Sequence, residues 1–227
     1  VLKVAPDESW RSVIEGGMLC MICPTATAAV VIVSKLGASP EGVATYTLLS
    51  NLLAAVLVPV AGAALNTLLA ADFLSCFAVM LSKVLPLLVL PLFLAMFVRR
   101  YLAGLMRVIS RQKDLAFYLW LIALSLAIAL TTRSLLHSGA ALWMLLGLGA
   151  ISFVCCALQF AIGKILGHHF DDPVNATQGL GQKNTVFAMW LGFTFFTPIS
   201  ALAGGFYSIW HNLYNSWQLY HHCKRQV

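Results

Sequence analysis

Long apolar segments separated by short polar ones make up most of the chain. A membrane-spanning helix needs about 20 mostly apolar residues, and seven stretches of the sequence come close to that length. The segments that connect them are too short for a second domain, so we expect one transmembrane domain over residues 1–227. The predicted spans cover approximately residues 14–36, 43–66, 74–98, 115–132, 139–166, 173–195 and 197–220.

The first and the sixth of these spans are interrupted. Pro24 lies in the middle of the first, and Gly179 and Gly181 lie in the sixth, shortly before Lys183. Proline removes a helix hydrogen bond, glycine weakens a helix by about 1 kcal/mol, and a membrane tolerates the freed backbone groups only inside protein or along a cavity. Ordinary kinks would give the same pattern, but two broken helices at separated positions are typical of the central site of a transporter. We therefore predict that both spans break near these residues and cross near the membrane midplane.

The composition supports a membrane protein and excludes several other classes. Hydrophobic residues make up 60% of the chain and charged residues only 10%, whereas a soluble domain has about 25% charged residues. The net charge of +6 does not indicate a nucleic-acid partner, because the basic residues cluster in short loops, where membrane topology explains them. The six cysteines lack the spacing of metal ligands, so we interpret them as small apolar fillers and predict no metal site and no cofactor.

The basic residues also predict the orientation of the chain. Counted through the predicted spans, nine Lys and Arg residues fall on one side of the membrane and three on the other. The first group contains Lys35, Arg99, Arg100, Arg107, Arg111, Lys113, Lys164, Lys224 and Arg225, and the second contains Lys3, Arg11 and Arg133. The positive-inside rule makes the first side, with the C-terminus, cytoplasmic in a multi-pass protein of the cell (inner or plasma) membrane. The N-terminus would then lie outside without a visible signal peptide, which favours an N-terminally truncated chain preceded by an odd number of spans.

Four segments carry a family resemblance. They read CPTATAAVVIVSKLGASPEGVATYTLLSNLLAAVLVP, LSKVLPLLVLPLFL, GLGQKN and GGFYSIWHNLYNSW. In this order they resemble helices four and five, helix six, helix nine and helix ten of the bile acid:sodium symporter family. The resemblance implies an all-α membrane fold of two inverted five-helix repeats, whose discontinuous fourth and ninth helices cross. This chain would hold about helices 4–10, and the missing N-terminal helices of the same protein would pack against it.

The resemblance also assigns the site residues. The family's substrate-facing positions correspond to Thr27, Asn184, His211 and Asn212, and all four residue types are retained. Most of the family's sodium ligands are not, because they correspond to Ala29, Val30, Val43, Gly179 and Lys183. Only Thr47 keeps an oxygen ligand. Hard cations need several oxygen ligands, so we expect the family's sodium site to be lost.

Lys183 is the least expected residue in the sixth span. An ammonium group deep in a membrane costs roughly 2.5–3.5 kcal/mol on insertion scales, and no acidic residue lies within ten positions of it. Our hypothesis is that Lys183 replaces the bound sodium with a fixed cation, and that Gln178 and Gln182 accept hydrogen bonds from its ammonium group. A lysine that releases its proton would permit proton coupling instead. The structural alternative is that Lys183 only bonds to carbonyls exposed at the break.

Other polar residues have simpler interpretations. Asn51 and Asn215 are interpreted as amides that join helices, and Asn175 as a helix cap. Lys83 lies in the outer half of its predicted span and is expected to reach toward the headgroups.

These observations together predict a secondary transporter. Its substrate would be a small organic anion moved by alternating access without sodium, and its other partner is the lipid bilayer, with no nucleic acid. The alternatives are a polytopic sensor that binds without transport and a sodium-coupled symporter with altered ligands. An enzyme is not expected, because the spans contain neither a nucleophile with a base, nor an H-E-x-x-H sequence, nor paired acids at membrane depth.

Overall fold

The computed structural model describes residues 8–65, 72–112 and 115–226, and these residues are helical apart from short connections and one isolated bridge. Lys3, Lys113 and the end of the predicted second span at residue 66 lie outside the described part. The helices are α1 Glu8–Ile22, α2 Ala28–Lys35, α3 Pro40–Leu65, α4 Phe73–Tyr101, α5 Ala103–Arg111, α6 Leu115–His137, α7 Leu142–His169, α8 Pro173–Gly181, α9 Thr185–Phe195 and α10 Leu202–Gln226.

Four of the described helices are long and apolar enough to cross a membrane. They lie at Pro40–Leu65, Phe73–Tyr101, Phe117–His137 and Leu142–His169. They indicate a protein embedded in a membrane, which confirms the all-α membrane class that the sequence predicts. Helix α10 covers most of the predicted seventh span but is not among the four, because it carries many His, Asn, Gln and Tyr side chains.

The predicted first and sixth spans each consist of two short helices. Helix α1 ends at Ile22 and α2 begins at Ala28, with Pro24 between them, and we call residues 23–27 the first break. Helix α8 ends at Gly181 and α9 begins at Thr185, so the second break comprises residues 182–184. The chain therefore leaves the helix just after the glycine pair, not at it.

Gly179 and Gly181 lie inside the last turn of α8, where they allow close packing. A Cβ atom at Gly179 would lie 2.9 Å from the Tyr46 ring of α3, and one at Gly181 would collide with the Phe160 ring of α7. Both contacts are shorter than van der Waals distance. The glycines thus let two neighbouring helices approach the end of α8.

Helices α7 and α8 also pack at backbone distance. A Cβ atom at Gly163 would lie 2.6 Å from the backbone oxygen of Ala176, and one at Gly167 would lie 2.5 Å from the Cα of Pro173. These two glycines are four residues apart on one face of α7, a spacing that brings helix backbones together in membranes. The contact holds α8, and with it the second break, against the long helix α7.

Candidate functional site at the crossing of the two breaks

The two breaks meet and satisfy each other's backbone groups. The N–H of Ala26 donates to the carbonyl of Gln182, and the N–H of Asn184 donates to the carbonyl of Pro24, each at 2.9 Å. Thr25 and Lys183 form the centre of this short antiparallel bridge. Unpaired backbone groups are costly away from water, so each break supplies the partners that the other has lost. We call this pair of breaks the crossing.

The Thr25 hydroxyl ties the crossing to two further elements. It donates to the carbonyl of Gly179 at 2.6 Å and lies 3.2 Å from the hydroxyl oxygen of Ser50 on α3. The backbone N–H of Thr25 also donates to Ser50, at 3.0 Å. Thr25 is buried. Neither Thr25 nor Ser50 was predicted to belong to the site. A threonine that follows a mid-span proline was the available signal for a hydroxyl that bonds at the break.

The opposite side of the crossing is held by α7 and α10. The Tyr207 hydroxyl donates to the carbonyl of Gly181 at 2.8 Å, and the Gln159 amide donates to the Tyr207 oxygen and to the carbonyl of Cys20, each at 3.2 Å. A carbonyl in the last turn of α1 thus accepts from the Gln159 amide, and the last carbonyl of α8 accepts from the Tyr207 hydroxyl.

The side chains of Gln178 and Gln182 belong to an amide network with α10. The Gln178 amide donates to Asn215 at 3.1 Å and to Gln218 at 2.6 Å, and the Asn215 amide donates to Gln182 at 2.7 Å. Asn215 therefore joins α10 to α8, in the manner of a helix-joining amide. No hydrogen bond connects either glutamine to Lys183 in the described part of the chain. The Gln182 oxygen accepts from Asn215 instead, and the Gln178 oxygen is buried without a hydrogen-bond partner among the described residues.

A cavity of about 340 Å³ lies beside the crossing and brings the sequence-predicted polar residues together. Thr27, Asn184, His211 and Asn212 all line it, together with Lys183 and Gln182. Its opposite wall is apolar and belongs to α6. The residues of this wall are Leu119, Trp120, Ala123, Leu124 and Ala127. The cavity thus combines a polar face made by the crossing and α10 with an apolar face made by α6.

Lys183 has no protein partner in this cavity. Its side chain is 7% exposed, and no hydrogen bond or ion pair reaches its Nζ among residues 8–65, 72–112 and 115–226. None of the residues that line the cavity is acidic. Bonding to carbonyls at the break, the structural alternative for this lysine, is also absent from that part of the chain.

The other polar side chains offer both hydrogen-bond donors and acceptors. The Asn184 side-chain oxygen accepts from the N–H of Phe187 at 3.1 Å and caps α9, which leaves its NH₂ group for a ligand. The Asn212 NH₂ donates to the carbonyl of Ser208 at 2.7 Å, which leaves its oxygen. The Thr27 hydroxyl does not cap α2. The buried His211 packs its ring edge against Tyr207.

Two helix N-termini add to the positive character of the cavity. Helix α2 begins at Ala28 and α9 at Thr185, and both residues line the cavity. The N-terminal end of a helix carries roughly half a positive elementary charge and favours anions. With the ammonium of Lys183, three sources of positive potential face one space.

Three of the positions that the resemblance equates with sodium ligands, at Ala29, Val30 and Val43, lie in an apolar environment. Ala29, Val33 and Val43 form a buried hydrophobic cluster, and Val30 packs against it. The remaining hydroxyl, that of Thr47, donates to the carbonyl of Val43 in its own helix at 2.8 Å. The carbonyl of Gly179 accepts from Thr25. The described residues contain no group of three His, Cys, Asp or Glu that could hold a metal ion.

A buried carboxylate that the sequence analysis passed over lies away from the cavity. Glu15 of α1 is fully buried and accepts from Arg11 at 2.9 Å. It also accepts from the N–H and the hydroxyl of Thr197, at 3.1 and 2.8 Å. The spacing of four residues between Arg11 and Glu15 was the available signal. This carboxylate is neutralised locally and ties α1 to the segment that follows α9.

The chemistry of the cavity is thus that of an anion site with an apolar wall. One unpaired cation, several donors and two helix N-termini face a row of apolar side chains. The sequence matches no protein-family model and no curated protein. The function of the site has to be inferred from its own geometry and charge.

Proposed function

We propose that the chain is the substrate-binding portion of a secondary transporter for a small organic anion, with the fold of the bile acid:sodium symporter family. The observation that carries this proposal is the unpaired Lys183 in a cavity at the crossing of two broken helices. Broken helices whose N-termini point at anionic groups are the usual construction of a transporter's central site. The fold proposal extends to the two inverted repeats.

The donors and the apolar wall define the class of substrate. The ammonium of Lys183, the Asn184 NH₂ and the Thr27 hydroxyl suit a carboxylate or sulfonate group. The α6 wall, with Trp120 at its centre, suits an apolar body attached to that group. A cavity of about 340 Å³ falls at the lower end of the range for small-molecule sites. The substrate would therefore be a small amphipathic anion.

The apolar cluster around Ala29 and Val43 supports transport without sodium. A sodium ion placed there would find aliphatic side chains, and the Thr47 hydroxyl is the one oxygen that the family's ligand positions clearly retain. Lys183 would supply a positive charge instead, as a fixed part of the protein.

Binding of a matched pair of ligands tests the proposal. The probes are 4-phenylbutyrate and its neutral amide, titrated against the purified full-length protein in detergent. The acid should bind at least about 10-fold more tightly than the amide, because only the acid can pair with Lys183; tenfold corresponds to about 1.4 kcal/mol. Lys183→Gln should abolish this preference. Lys83→Gln, which removes an exposed lysine on α4, is the control and should keep it.

Flux measurements separate the transporter from the sensor. Labelled 4-phenylbutyrate should accumulate in vesicles that contain the protein and not in protein-free vesicles of the same lipid. Binding with no flux in any vesicle would favour the sensor. No binding of the acid, or equal binding of the acid and the amide, would refute the anion site.

A further inference from the structure

The charge of the empty site constrains how the proposed transporter can cycle. We propose that the protein is an obligatory anion exchanger, in which access to the cavity changes only while an anion is paired with Lys183. One anion then leaves for each anion that enters. This inference rests on the proposed transport function and specifies that transport occurs by exchange of one anion for another.

The ammonium in the cavity lacks negative charge from its surroundings. Its side chain is buried, it has no hydrogen-bond or ion-pair partner in the described part of the chain, and no lining residue is acidic. The nearby titratable groups are the thiols of Cys20 and Cys23 and the imidazole of His211. The Cys20 thiol donates to the carbonyl of Ala203 at 3.5 Å, as an uncharged thiol does.

The fully buried carboxylate of the described chain does not serve the lysine. Glu15 pairs with Arg11 and accepts two hydrogen bonds from Thr197, and it does not line the cavity. Because the described part of the chain supplies no negative charge to Lys183, we assign that charge to the ligand. A bound monoanion makes the site neutral, and its loss leaves one uncompensated positive charge.

The lysine cannot escape this cost by leaving the crossing. Both neighbours of Lys183 are hydrogen-bonded to the first break. The carbonyl of Gln182 accepts from the N–H of Ala26, and the N–H of Asn184 donates to the carbonyl of Pro24, each at 2.9 Å. The backbone of the lysine is thereby fixed at the crossing, and its side chain stays in the space beside it. A diffusible sodium ion behaves differently, because it departs with the substrate and leaves a neutral carrier.

Alternating access requires that the cavity closes to water on both sides at some point in the cycle. Closure around an anion buries an ion pair, whose attraction grows as the local dielectric constant falls. Closure around an empty site buries an unpaired ammonium, which is strongly unfavourable. The loaded carrier therefore changes access readily and the empty carrier does not. This asymmetry is the physical basis of exchange.

Counterflow in vesicles tests the proposal directly. The full-length protein is reconstituted, and uptake of labelled naphthalene-2-sulfonate is measured, because a permanently ionised sulfonate crosses lipid slowly. Vesicles preloaded with the unlabelled sulfonate should take up label at least about 10-fold faster than vesicles without it. Protein-free vesicles give the leak. Exchange of one monoanion for another moves no net charge, so a potassium diffusion potential should leave the rate unchanged.

The outcomes distinguish the two proposals. Equal uptake in preloaded and empty vesicles overturns exchange and leaves transport intact. Net uptake in empty vesicles that requires acid outside also overturns it, because the lysine would then release its proton on the return step. The absence of flux in every vesicle, and of binding to the purified protein, overturns the proposed function itself and exchange with it.

The variant Lys183→Gln tests the role of the charge. It removes the ammonium and leaves a neutral, polar side chain, so the empty carrier should return freely. The ratio of exchange to net uptake should fall from at least about 10 toward 1, whereas Lys83→Gln should keep the ratio of the unmodified protein. An unchanged ratio in Lys183→Gln overturns the role of Lys183. If this variant fails to fold, the ratio of the unmodified protein still decides whether exchange occurs.

Discussion

At the scale of single residues, Thr25 links more parts of the site than any residue chosen from the sequence. Its hydroxyl and its N–H join the first break to α8 and to α3, and its backbone lies in the bridge with Lys183. The carbonyl of Gly179 has this hydroxyl as its partner because the helix ends two residues later. Removal of the hydroxyl would leave a buried acceptor unpaired.

Thr25→Val should therefore destabilise the protein. Loss of a buried hydrogen-bond partner costs about 1–3 kcal/mol, and the shape of the side chain is nearly unchanged. Thermal unfolding of the purified protein in detergent measures the effect. Thr194→Val is the matched control, because Thr194 is exposed and its hydroxyl bonds within α9 to Trp190. Equal losses of stability in both variants would contradict the linking role of Thr25.

Asn212 provides a test of ligand contact at the same scale. Its side-chain oxygen is available to the cavity, so Asn212→Ala should weaken binding of a probe with a hydroxyl group, such as 4-(4-hydroxyphenyl)butyrate. The expected loss is about 2- to 10-fold, the value of one hydrogen bond. His211→Ala should weaken binding as well. Asn51→Ala is the control, because Asn51 is on α3 and does not line the cavity. Unchanged affinity in both cavity variants would refute the assigned contacts.

The polar residues that line the cavity could be predicted from the sequence, but the hydrogen bonds that hold the crossing in place could not. Thr27, Asn184, His211 and Asn212 were named from the resemblance, and the structure brings them into one cavity. The partners of Thr25 were not predictable, because Gly179 is 154 positions away and its carbonyl accepts only where α8 ends. A single sequence shows which residues are polar. It does not show which backbone carbonyl a distant break will expose.

At the scale of elements, the two breaks act as one structural unit. Each break frees backbone groups, and the other break bonds to them. The existence of both interruptions was predictable from proline, glycine and polar residues, since these residues oppose continuous helix. The exact end of α8 was not, because Gly179 and Gly181 serve the approach of Tyr46 and Phe160 and remain helical. Packing against neighbours, which the local sequence does not encode, determines where the helix ends.

The contact between α7 and α8 supports a stability prediction at this scale. Gly163→Ala should destabilise the protein by about 1–3 kcal/mol, because its methyl group would meet the backbone of Ala176. Gly149→Ala on the same helix is the control, because a Cβ atom there meets nothing within 4 Å among the described atoms. That change should be neutral or stabilising by roughly 0.5–1 kcal/mol. Thermal unfolding in detergent distinguishes the two, and similar shifts would argue against close packing at Gly163.

At the scale of the whole molecule, the helices that build the polar face of the cavity are not among the four described helices that are long and apolar enough to cross a membrane. The four long apolar helices were clear in the sequence. Helix α10 and the broken pairs are more polar, because their polar groups face the crossing, the amide network and the cavity. The orientation of the termini and the internal repeats stay predictions.

Sodium independence is the prediction that belongs to this scale. The affinity for naphthalene-2-sulfonate should agree within about 2-fold between sodium chloride and potassium chloride at equal ionic strength. The reason is the apolar cluster around Ala29 and Val43, which offers no oxygen ligands from its side chains. Titration of the purified protein in both salts measures this, and ionic strength is matched because salt screens exposed charges. A steep gain in affinity with sodium would show that the protein holds this ion at another place.

The bridge at the crossing is made by main-chain atoms. Evolution can therefore alter the side chains that line the cavity separately from the bridge itself. The two backbone hydrogen bonds of this joint do not involve the side chains of residues 25–27 and 182–184, although the Thr25 and Asn184 side chains support the crossing and α9, and proline would remove the N–H of Ala26 or Asn184. Mutation can therefore vary the lining of the cavity one residue at a time while the joint persists. A lysine can arise at position 183 without any rebuilding of the backbone around it. The main-chain frame of the site and the side chains that line its cavity can therefore change independently of each other.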